Sequence, residues 1–393
     1  MIPYGKQSID DKDIQAVIDV LNSNWLTTGP KVLEFEDALA KIVDAKYGVA
    51  VCSGTAALHC AMYALGIGPG DEVIVPPITF VATANCVVYQ GATPVFADVD
   101  KETLLIDPNQ VKERITSRTR AIIGVDYAGQ PCDWDALQLI AKKFNLPLIS
   151  DGCHALGGMY KGRKIGSLAD MSVFSFHPLK HITTGEGGMI VSNNKDWVNK
   201  IRIFRNHGIT TDHHQREKLE SWYYEMKFLG YNYRITDIQC ALGLNQLQKL
   251  TKWIDRRQEI ADQYDEAMAD IPGIKTLGLR SDVLPAKEYL RCLVSDPKHI
   301  SSRSIHAYHL YVIRIEKNRD KIFSQLRKAG IGVNVHYIPV YLHPFYQNRM
   351  GTIHGLCPNA ELAYGQLLSL PIYPALKNKE VKKVISSLQR LII

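Results

Sequence analysis

The chain has 393 residues, 46% hydrophobic and 22% charged, an ordinary balance for a globular protein and more chain than one core comfortably takes, so two domains are expected. Its formal charge of +6 is spread along the chain and not blocked into basic runs, which argues against a nucleic-acid partner. The eight cysteines stand singly with no Cys-x-x-Cys pair, no apolar run reaches about 18 residues, and the first twenty residues are polar and amphipathic; a zinc site, disulfide framework, signal peptide or membrane span is therefore not expected, and a reducing cytoplasmic setting is.

From residue 47 to 192 strand-like and helix-like runs alternate, as in a mostly parallel sheet covered on both faces. The run 47–52 leads into Ser53-Gly54-Thr55-Ala56-Ala57-Leu58, which opens a helix-like stretch to Leu65. Free amides and the positive helix end make such a turn a phosphate cradle, with Gly54 allowing close approach and Thr55 adding a hydroxyl. Many helices start this way with no ligand, so the motif is weak alone. Gly66-Ile67-Gly68-Pro69-Gly70-Asp71 has the look of a dinucleotide loop, but it follows a helix and precedes a strand, the wrong context, and reads as a helix stop. After the strand-like run 72–76 comes Pro77-Ile78-Thr79-Phe80-Val81-Ala82-Thr83-Ala84. Phe80 at a strand end could stack on a flat cofactor; the bland reading is a core phenylalanine.

Residues 146–150 form an apolar run that ends on Asp151. Ligands of open α/β sheets gather beyond the carboxyl ends of strands, and a carboxylate there needs a partner. Pyridoxal phosphate supplies one, since an aspartate that keeps its ring nitrogen protonated turns the ring into an electron sink. A helix N-cap is the bland alternative and fits poorly, because apolar residues precede Asp151 and Gly152 follows. Another apolar run, 171–176, precedes His177-Pro178-Leu179-Lys180-His181 and the Gly/Thr-rich turn 183–188. A lysine at the mouth of such a turn loses proton affinity through desolvation, and its neutral amine can form a Schiff base. Lys180 is the nucleophile candidate, against the bland reading of a snorkelling surface lysine.

Residues 210–226 are polar, include His213-His214 and carry Trp222-Tyr223-Tyr224, read as a loop near the mouth of a site; adjacent histidines alone do not make a metal site. Beyond the N-cap signals Thr236 and Asp237, apolar positions 238, 241, 242, 244, 247, 250, 253 and 254 predict one long helix bridging two domains. A strand-like run at 309–315 and an amphipathic helix near 379–391 complete a smaller α/β domain. The expected division is 1–245, an N-terminal segment with the large domain, and 246–393, the small one.

Strand-end carboxylate, downstream lysine, upstream phosphate turn and intervening aromatic follow one another in the order of the aspartate-aminotransferase fold group. The stretches Leu26-Thr27-Thr28-Gly29-Pro30, Ser53 to Leu58, Thr79 to Asn85, Asp151-Gly152-Cys153-His154-Ala155-Leu156-Gly157, Ser175 to Gly188 and Gly230-Tyr231-Asn232-Tyr233-Arg234-Ile235-Thr236-Asp237 resemble the nucleotide-sugar aminotransferases of the DegT/StrS type, from Tyr4 to at least Pro371. The resemblance implies an α/β fold of type I with a mostly parallel sheet in the large domain and a smaller C-terminal α/β domain. It implies that Lys180 forms the Schiff base and shuttles a proton, that Asp151 holds the pyridinium, that His154 sits near the ring, and that Phe80 stacks on it. Gly54, Thr55 and Ser175 would hold the phosphate, joined by Asn232 from the neighbouring subunit of a homodimer with shared sites. Tyr4, Asn24, Trp25, Leu26 and Thr27, with His336, Tyr337, Ile338 and Pro339, would help hold the nucleotide sugar.

Within the family, Val125-Asp126-Tyr127-Ala128-Gly129, Ser175-Phe176-His177 and Val335-His336-Tyr337-Ile338-Pro339-Val340-Tyr341 resemble the aminotransferases of pseudaminic acid biosynthesis, which use glutamate and a UDP-linked 4-keto sugar; residues 25–30 also resemble the 4-amino-4-deoxyarabinose branch. A dehydrating branch carries histidine in place of the lysine, and His177 and His181 flank Lys180. Aligning on Ser175 and on the turn 183–188 together leaves Lys180 at the nucleophile position. Two other classes are compatible with such a chain: a lyase or sulfur-transfer enzyme using Cys357 as a loop thiol, and a non-catalytic sugar-binding or regulatory protein that kept the fold, against which the intact Lys180 and Asp151 argue.

Overall fold

The computed structural model describes residues 1–211, 220–269 and 271–392. The pair His213-His214 lies outside them. Twelve strands are present among the described residues: β1 (Tyr47–Val51), β2 (Glu72–Val75), β3 (Thr93–Phe96), β4 (Thr119–Val125), β5 (Leu148–Asp151), β6 (Met159–Tyr160), β7 (Arg163–Lys164), β8 (Met171–Ser175), β9 (Gly188–Ser192), β10 (Ile274–Thr276), β11 (Tyr311–Ile315) and β12 (Leu367–Leu370). Seven of them form one sheet in the order β1-β9-β8-β5-β4-β2-β3. Only β9 runs against the rest, pairing antiparallel with both β1 and β8. The expected mostly parallel sheet is therefore present. Its strands are short Val/Ile/Ala-rich runs, and β2, β5 and β9 are buried at every position, as sheets covered by helices on both faces require.

This topology decides what meets at the carboxyl edge. Gly188 of β9 pairs with Val51 on one side and Ser175 on the other, so the turn after β1 and the end of β8 become neighbours across a single strand. Val125 and Asp151 end adjacent parallel strands in register, and β2 leads into the segment with Thr79 and Phe80 one strand further on.

The expected single long helix after Thr236 is two helices, Asp237–Leu247 and Leu250–Met268. Thr236 is the N-cap and forms a capping box with Gln239. At the break the Lys249 amide bonds Gln246, and the Lys249 ammonium is pulled toward Asp10 and Asp13, 2.7 and 2.8 Å away. Apolar periodicity continues across the break, which is why it was invisible in the pattern. Asp237 is not the cap of its own helix; its carboxylate accepts from the amides of Gly29 and Lys31 at 2.7 and 2.9 Å, at the N-terminus of helix Pro30–Ile42.

β10, β11 and β12 make a three-stranded antiparallel sheet, and helices Leu250–Met268 and Asn378–Ile392 pack against each other beside it. A second hydrophobic cluster there includes Tyr264, Ile313, Leu326, Leu368 and Val384, and Ile2 joins it by pairing with Ile331. The first cluster runs through the seven-stranded sheet and also takes in Val340, Tyr341 and Leu367. No helix among the described residues is long and apolar enough to cross a membrane.

Candidate active site

A cavity of about 510 Å³ opens at the carboxyl edge of the seven-stranded sheet. Tyr4, Gly54, Thr55, Phe80, Asp151, His154, Ser175, Lys180, His336 and Tyr337 line it, so ten of the positions read from the sequence converge on one place. Its floor is Asp151, the last residue of β5 and only 5% exposed. The Thr83 hydroxyl donates to Asp151 Oδ2 at 2.7 Å, the Cys153 amide donates to Oδ1 at 3.2 Å, and Thr79 and Thr83 share a hydrogen bond of 2.8 Å.

The cradle follows from the local sequence. Ser53 caps helix Gly54–Ala64 by accepting from the Ala56 amide, which leaves the other first-turn amides facing the cavity end of the helix. A Cβ on Gly54 would lie 2.9 Å from Ser175 Cβ and 3.4 Å from Cys153 Sγ, so only glycine lets the helix start come this close to β8. Thr55 and Ser175 are half-buried at the same place, with their hydroxyls available to a ligand.

Lys180 stands in the turn after β8, its Nζ 3.4 Å from His309 Nε2. Burial pushes its ammonium below the usual lysine range, and the nearby Cys153 and Asp151 partly oppose that shift. The flanking histidines resolve the register: His181 is buried with Nε2 against the Ala307 carbonyl at 3.1 Å and does not line the cavity, while His177 is exposed at its rim. His154 is buried, its Nε2 is 3.0 Å from the Tyr337 hydroxyl, and its Nδ1 has no partner. Burial, with Lys180 adding to it, holds His154 well below the ordinary histidine range. Phe80 is 56% exposed with its ring 6.3 Å from that of Tyr337, so it is a wall of the cavity and not a core residue.

Other expected residues lie elsewhere in this chain. Asn24, Trp25, Leu26 and Thr27 are exposed, and Trp25 and Thr27 line a second, more polar depression with Arg202, Asn206 and Arg234. Asn232 is exposed and pairs by backbone with Asn206, outside the cavity of its own chain. Ile338 is exposed and Pro339 buried, and neither lines the cavity. Trp222, Tyr223 and Tyr224 are exposed and do not cover it. Cys357 is buried at the start of helix Pro358–Tyr364, and burial pushes its thiol up to about 12, which removes the thiolate that the sulfur-transfer reading needs. Away from the cavity, Glu288, Cys292 and His299 each bring one donor atom within 4.8 Å of the others, with His299 Nε2 3.5 Å from Glu288.

Sequence reasoning missed Thr79, Thr83, His309 and Asn334. The threonines sit four apart in a stretch already singled out, Thr79 in the bend before helix Ala82–Tyr89 and Thr83 in its first turn, and their hydroxyls meet at 2.8 Å. His309 carried no such signal, because its neighbours read as the start of a strand.

The residues present fit pyridoxal 5'-phosphate. A buried carboxylate at a strand end suits a protonated ring nitrogen, a glycine-opened helix start with two hydroxyls suits the phosphate, an exposed aromatic and a buried histidine with a free ring nitrogen flank the intervening space, and a desolvated amine stands at the far side.

Known proteins are similar to this chain in sequence and in fold. Residues 7–389 match the model of the DegT/DnrJ/EryC1/StrS aminotransferase family. The spore coat polysaccharide biosynthesis protein SpsC of Bacillus subtilis is 40% identical over 398 residues, covering 100% of this chain and 97% of that protein. Among solved structures, the putative sugar aminotransferase Spr1654 of Streptococcus pneumoniae in its PMP form superposes with a TM-score of 0.89 at 33% identity, covering 100% of both chains, and it has also been solved in a PLP form. Helicobacter pylori PseC, an aminotransferase of pseudaminic acid biosynthesis, superposes with a TM-score of 0.87 at 34% identity, covering 100% of this chain and 99% of the other. With the lysine, the strand-end aspartate and the phosphate cradle in one cavity and the family model matching nearly end to end, this chain belongs to the DegT/DnrJ/EryC1/StrS aminotransferase family and is a pyridoxal-phosphate-dependent enzyme of fold type I.

Proposed function

We propose that the enzyme moves an amino group from glutamate to C4 of a UDP-linked 4-keto-6-deoxy-N-acetylhexosamine, the aminotransfer step of pseudaminic acid biosynthesis. The observation that carries the aminotransfer is the placement of the Lys180 amine in the same cavity as the buried Asp151 carboxylate. The choice of sugar is supported by the likeness to PseC over the whole chain and by the Val125-to-Gly129 and Val335-to-Tyr341 segments, which together bring Val125, Val335, His336 and Tyr337 to the cavity. A second reading, a UDP-4-ketoarabinose or a dTDP-4-keto-6-deoxyhexose, has support from residues 25–30 and from the sugar-polysaccharide relatives.

When bound, pyridoxal phosphate supplies an electron sink for negative charge that develops at the substrate carbon. The chain supplies the rest. Asp151, fixed by Thr83 and the Cys153 amide, holds a proton at the ring nitrogen. The helix start at Gly54, with Thr55 and Ser175, binds the phosphate. Lys180, neutral more readily than an exposed lysine, would carry a proton at Nζ between the substrate carbon and the cofactor. Phe80 and His154 both line the cavity and would bound the space for the ring.

Assembly and setting belong to the same proposal. The enzyme works as a homodimer in the cytoplasm, and Asn232 reaches the phosphate site of the neighbouring subunit; its exposure beside the Arg234-lined depression supports this. Residues 24–27, of which Trp25 and Thr27 line that depression, help hold the nucleotide sugar. The division into domains 1–245 and 246–393 is supported by the two main sheets falling on either side of it, while Ile2 crosses to pack with the second. The test is a panel of UDP- and dTDP-linked 4-keto sugars with glutamate, each product identified by mass spectrometry and NMR. Amination at C4 of the UDP-linked N-acetylated sugar, at least about tenfold faster than the others, is expected; preference for a dTDP sugar or for the pentose overturns the assignment.

A further inference from the structure

Residues 306–310 are held against the cavity by two devices that the cofactor chemistry does not require. Arg257, 1% exposed, has no carboxylate partner among the described residues; its Nη1 donates to the carbonyls of Tyr308 at 2.9 Å, Ile372 at 3.2 Å and His309 at 3.4 Å. On the other side Gly129 has a φ of +109°, and a Cβ there would lie 2.8 Å from the Tyr308 nitrogen and 3.1 Å from that of His309. The amides of Ala307 and Leu310 donate to the carbonyls of Gly129 and Ala128 at 2.8 and 3.1 Å. A buried arginine and a glycine-only approach thus fix one short stretch of backbone from both sides.

What this clamp delivers is the His309 ring. Its Nε2 stands 3.4 Å from Lys180 Nζ, its centroid is 4.4 Å from that of His154 and 5.7 Å from that of His181, and its Nδ1 is buried without a partner. Besides burial, the groups that act on it most strongly are Lys180, His154, His181 and Arg257. A ring so placed stays neutral, because burial first of all, and the nearby Lys180 and Arg257, oppose its protonation. A neutral imidazole can accept a hydrogen bond from an amine without keeping its proton.

We propose that His309 is a positioning residue for Lys180: its Nε2 accepts one N–H of the lysine amine, fixing the direction of the amine so that its lone pair faces the cavity, and the Arg257–Gly129 clamp exists to hold that ring in place. The lysine side chain has four freely rotating carbons, and without an acceptor its amine would sample several directions within the cavity. Alignment of a reacting group, more than its affinity, is what such a contact changes.

Three variants separate this role from simple filling of space. His309→Gln keeps an acceptor near the Nε2 position, His309→Leu keeps bulk without one, and His309→Asn keeps polarity but is too short to reach. Thermal unfolding checks that each is folded, and the Asn variant replaces the Leu variant if that one is not. In the full cofactor-free chain, the pH midpoint of Lys180 acylation is read by peptide mass spectrometry after competitive labelling. In the loaded enzyme, the glutamate half-reaction is followed in single turnovers without any sugar, so a wrong sugar assignment does not touch the result. A neutral acceptor favours the ammonium form, so the Leu or Asn variant is expected to lower the Lys180 midpoint by about half a pH unit or more and to slow the half-reaction at least about tenfold. The glutamate concentration for half-maximal rate should move less than about twofold, and the Gln variant should stay within about threefold of the parent rate. The proposal is overturned if the Leu and Asn variants keep the parental midpoint and rate, or if Gln falls as far as they do.

Discussion

The hydroxyl of Thr83 donates to Oδ2 of Asp151 across 2.7 Å, and Thr79 bonds that hydroxyl in turn at 2.8 Å. A residue of the segment after β2 thereby orients the carboxylate that ends β5, two strands away in the sheet, and the polar chain is fully buried. Chains of this kind polarise one another and hold a charge in a fixed direction.

Asp151→Asn removes the charge while keeping the shape. The account expects the glutamate half-reaction to slow by more than about a hundredfold, or roughly 2.7 kcal/mol of barrier, with cofactor affinity changed far less. Single-turnover kinetics beside a cofactor titration measure both. A variant within about tenfold of the parent rate would make the aspartate structural.

Thr83→Val keeps volume and removes the donor. Loss of a hydrogen bond to a charged acceptor in a buried place costs about 1.5–3 kcal/mol, so a fall of about tenfold or more in the same half-reaction is expected. Thr79→Val, one bond further from the carboxylate, should cost less. Equal effects of the two would mean that they act through folding, which a melting curve would show.

Buried histidines give the fold a pH signature. Burial lowers His59 and His336 to about 4 and His306 to about 3, and it holds His154, His181 and His309 well below the ordinary range. Between about pH 4 and 6.5 these rings are protonated in the unfolded chain and not in the folded one, so unfolding takes up protons and stability falls as pH falls. Asp126 and Asp265, raised by burial to about 7 and about 6, work the other way, but six histidines outnumber two carboxyls. The urea midpoint of the cofactor-free protein should drop from pH 7 to pH 5. An equal or higher midpoint at pH 5 contradicts the burial of these rings.

Cys357→Ala should keep turnover within about twofold, and the native thiol should resist iodoacetamide near neutral pH, because burial keeps it protonated. Rapid alkylation of Cys357 with matching loss of activity would revive the sulfur-transfer reading.

The shared-site proposal has its own test in mixed dimers. Lys180→Ala and a disruptive Asn232 variant should each be inactive, and their heterodimer should regain one working site, since that site draws lysine and asparagine from intact copies. Tagged chains establish that subunits exchange. Verified heterodimers that stay inactive, beside active wild-type mixtures treated alike, would place Asn232 in the service of its own chain.

Much of this site could be read before any coordinates because its chemistry sits at strand ends, where a change from apolar run to Asp, Ser, Gly or Lys is visible in the sequence. Asp151 after 146–150 and Ser175 at the end of β8 are of this kind, and the structure brings both to one cavity. His309 was hidden because it reaches Lys180 from a distance of 129 residues through a clamp made by Arg257, which carries no local signal, and Gly129, whose motif does not point to residue 309. The break at Gln248-Lys249 was hidden for another reason: apolar spacing reports which face is buried, not whether the backbone ladder continues, and the ion pairs of Lys249 with Asp10 and Asp13 join residues far apart in the chain. The positions of residues 24–27 and of Asn232 outside their own chain's cavity follow from packing between β1, helix Pro30–Ile42 and helix Asp237–Leu247, which a linear pattern does not contain.

The central claim is that Lys180 is the residue that carries the cofactor. Purified protein loaded with pyridoxal phosphate should be yellow, and borohydride should bleach it and fix the cofactor to a single lysine. Peptide mapping by mass spectrometry then reads the position. The account predicts the label on the peptide that contains Lys180, and its absence from a Lys180→Ala protein treated in the same way; a label on any other lysine of the parent protein, or none at all with cofactor supplied, would contradict it.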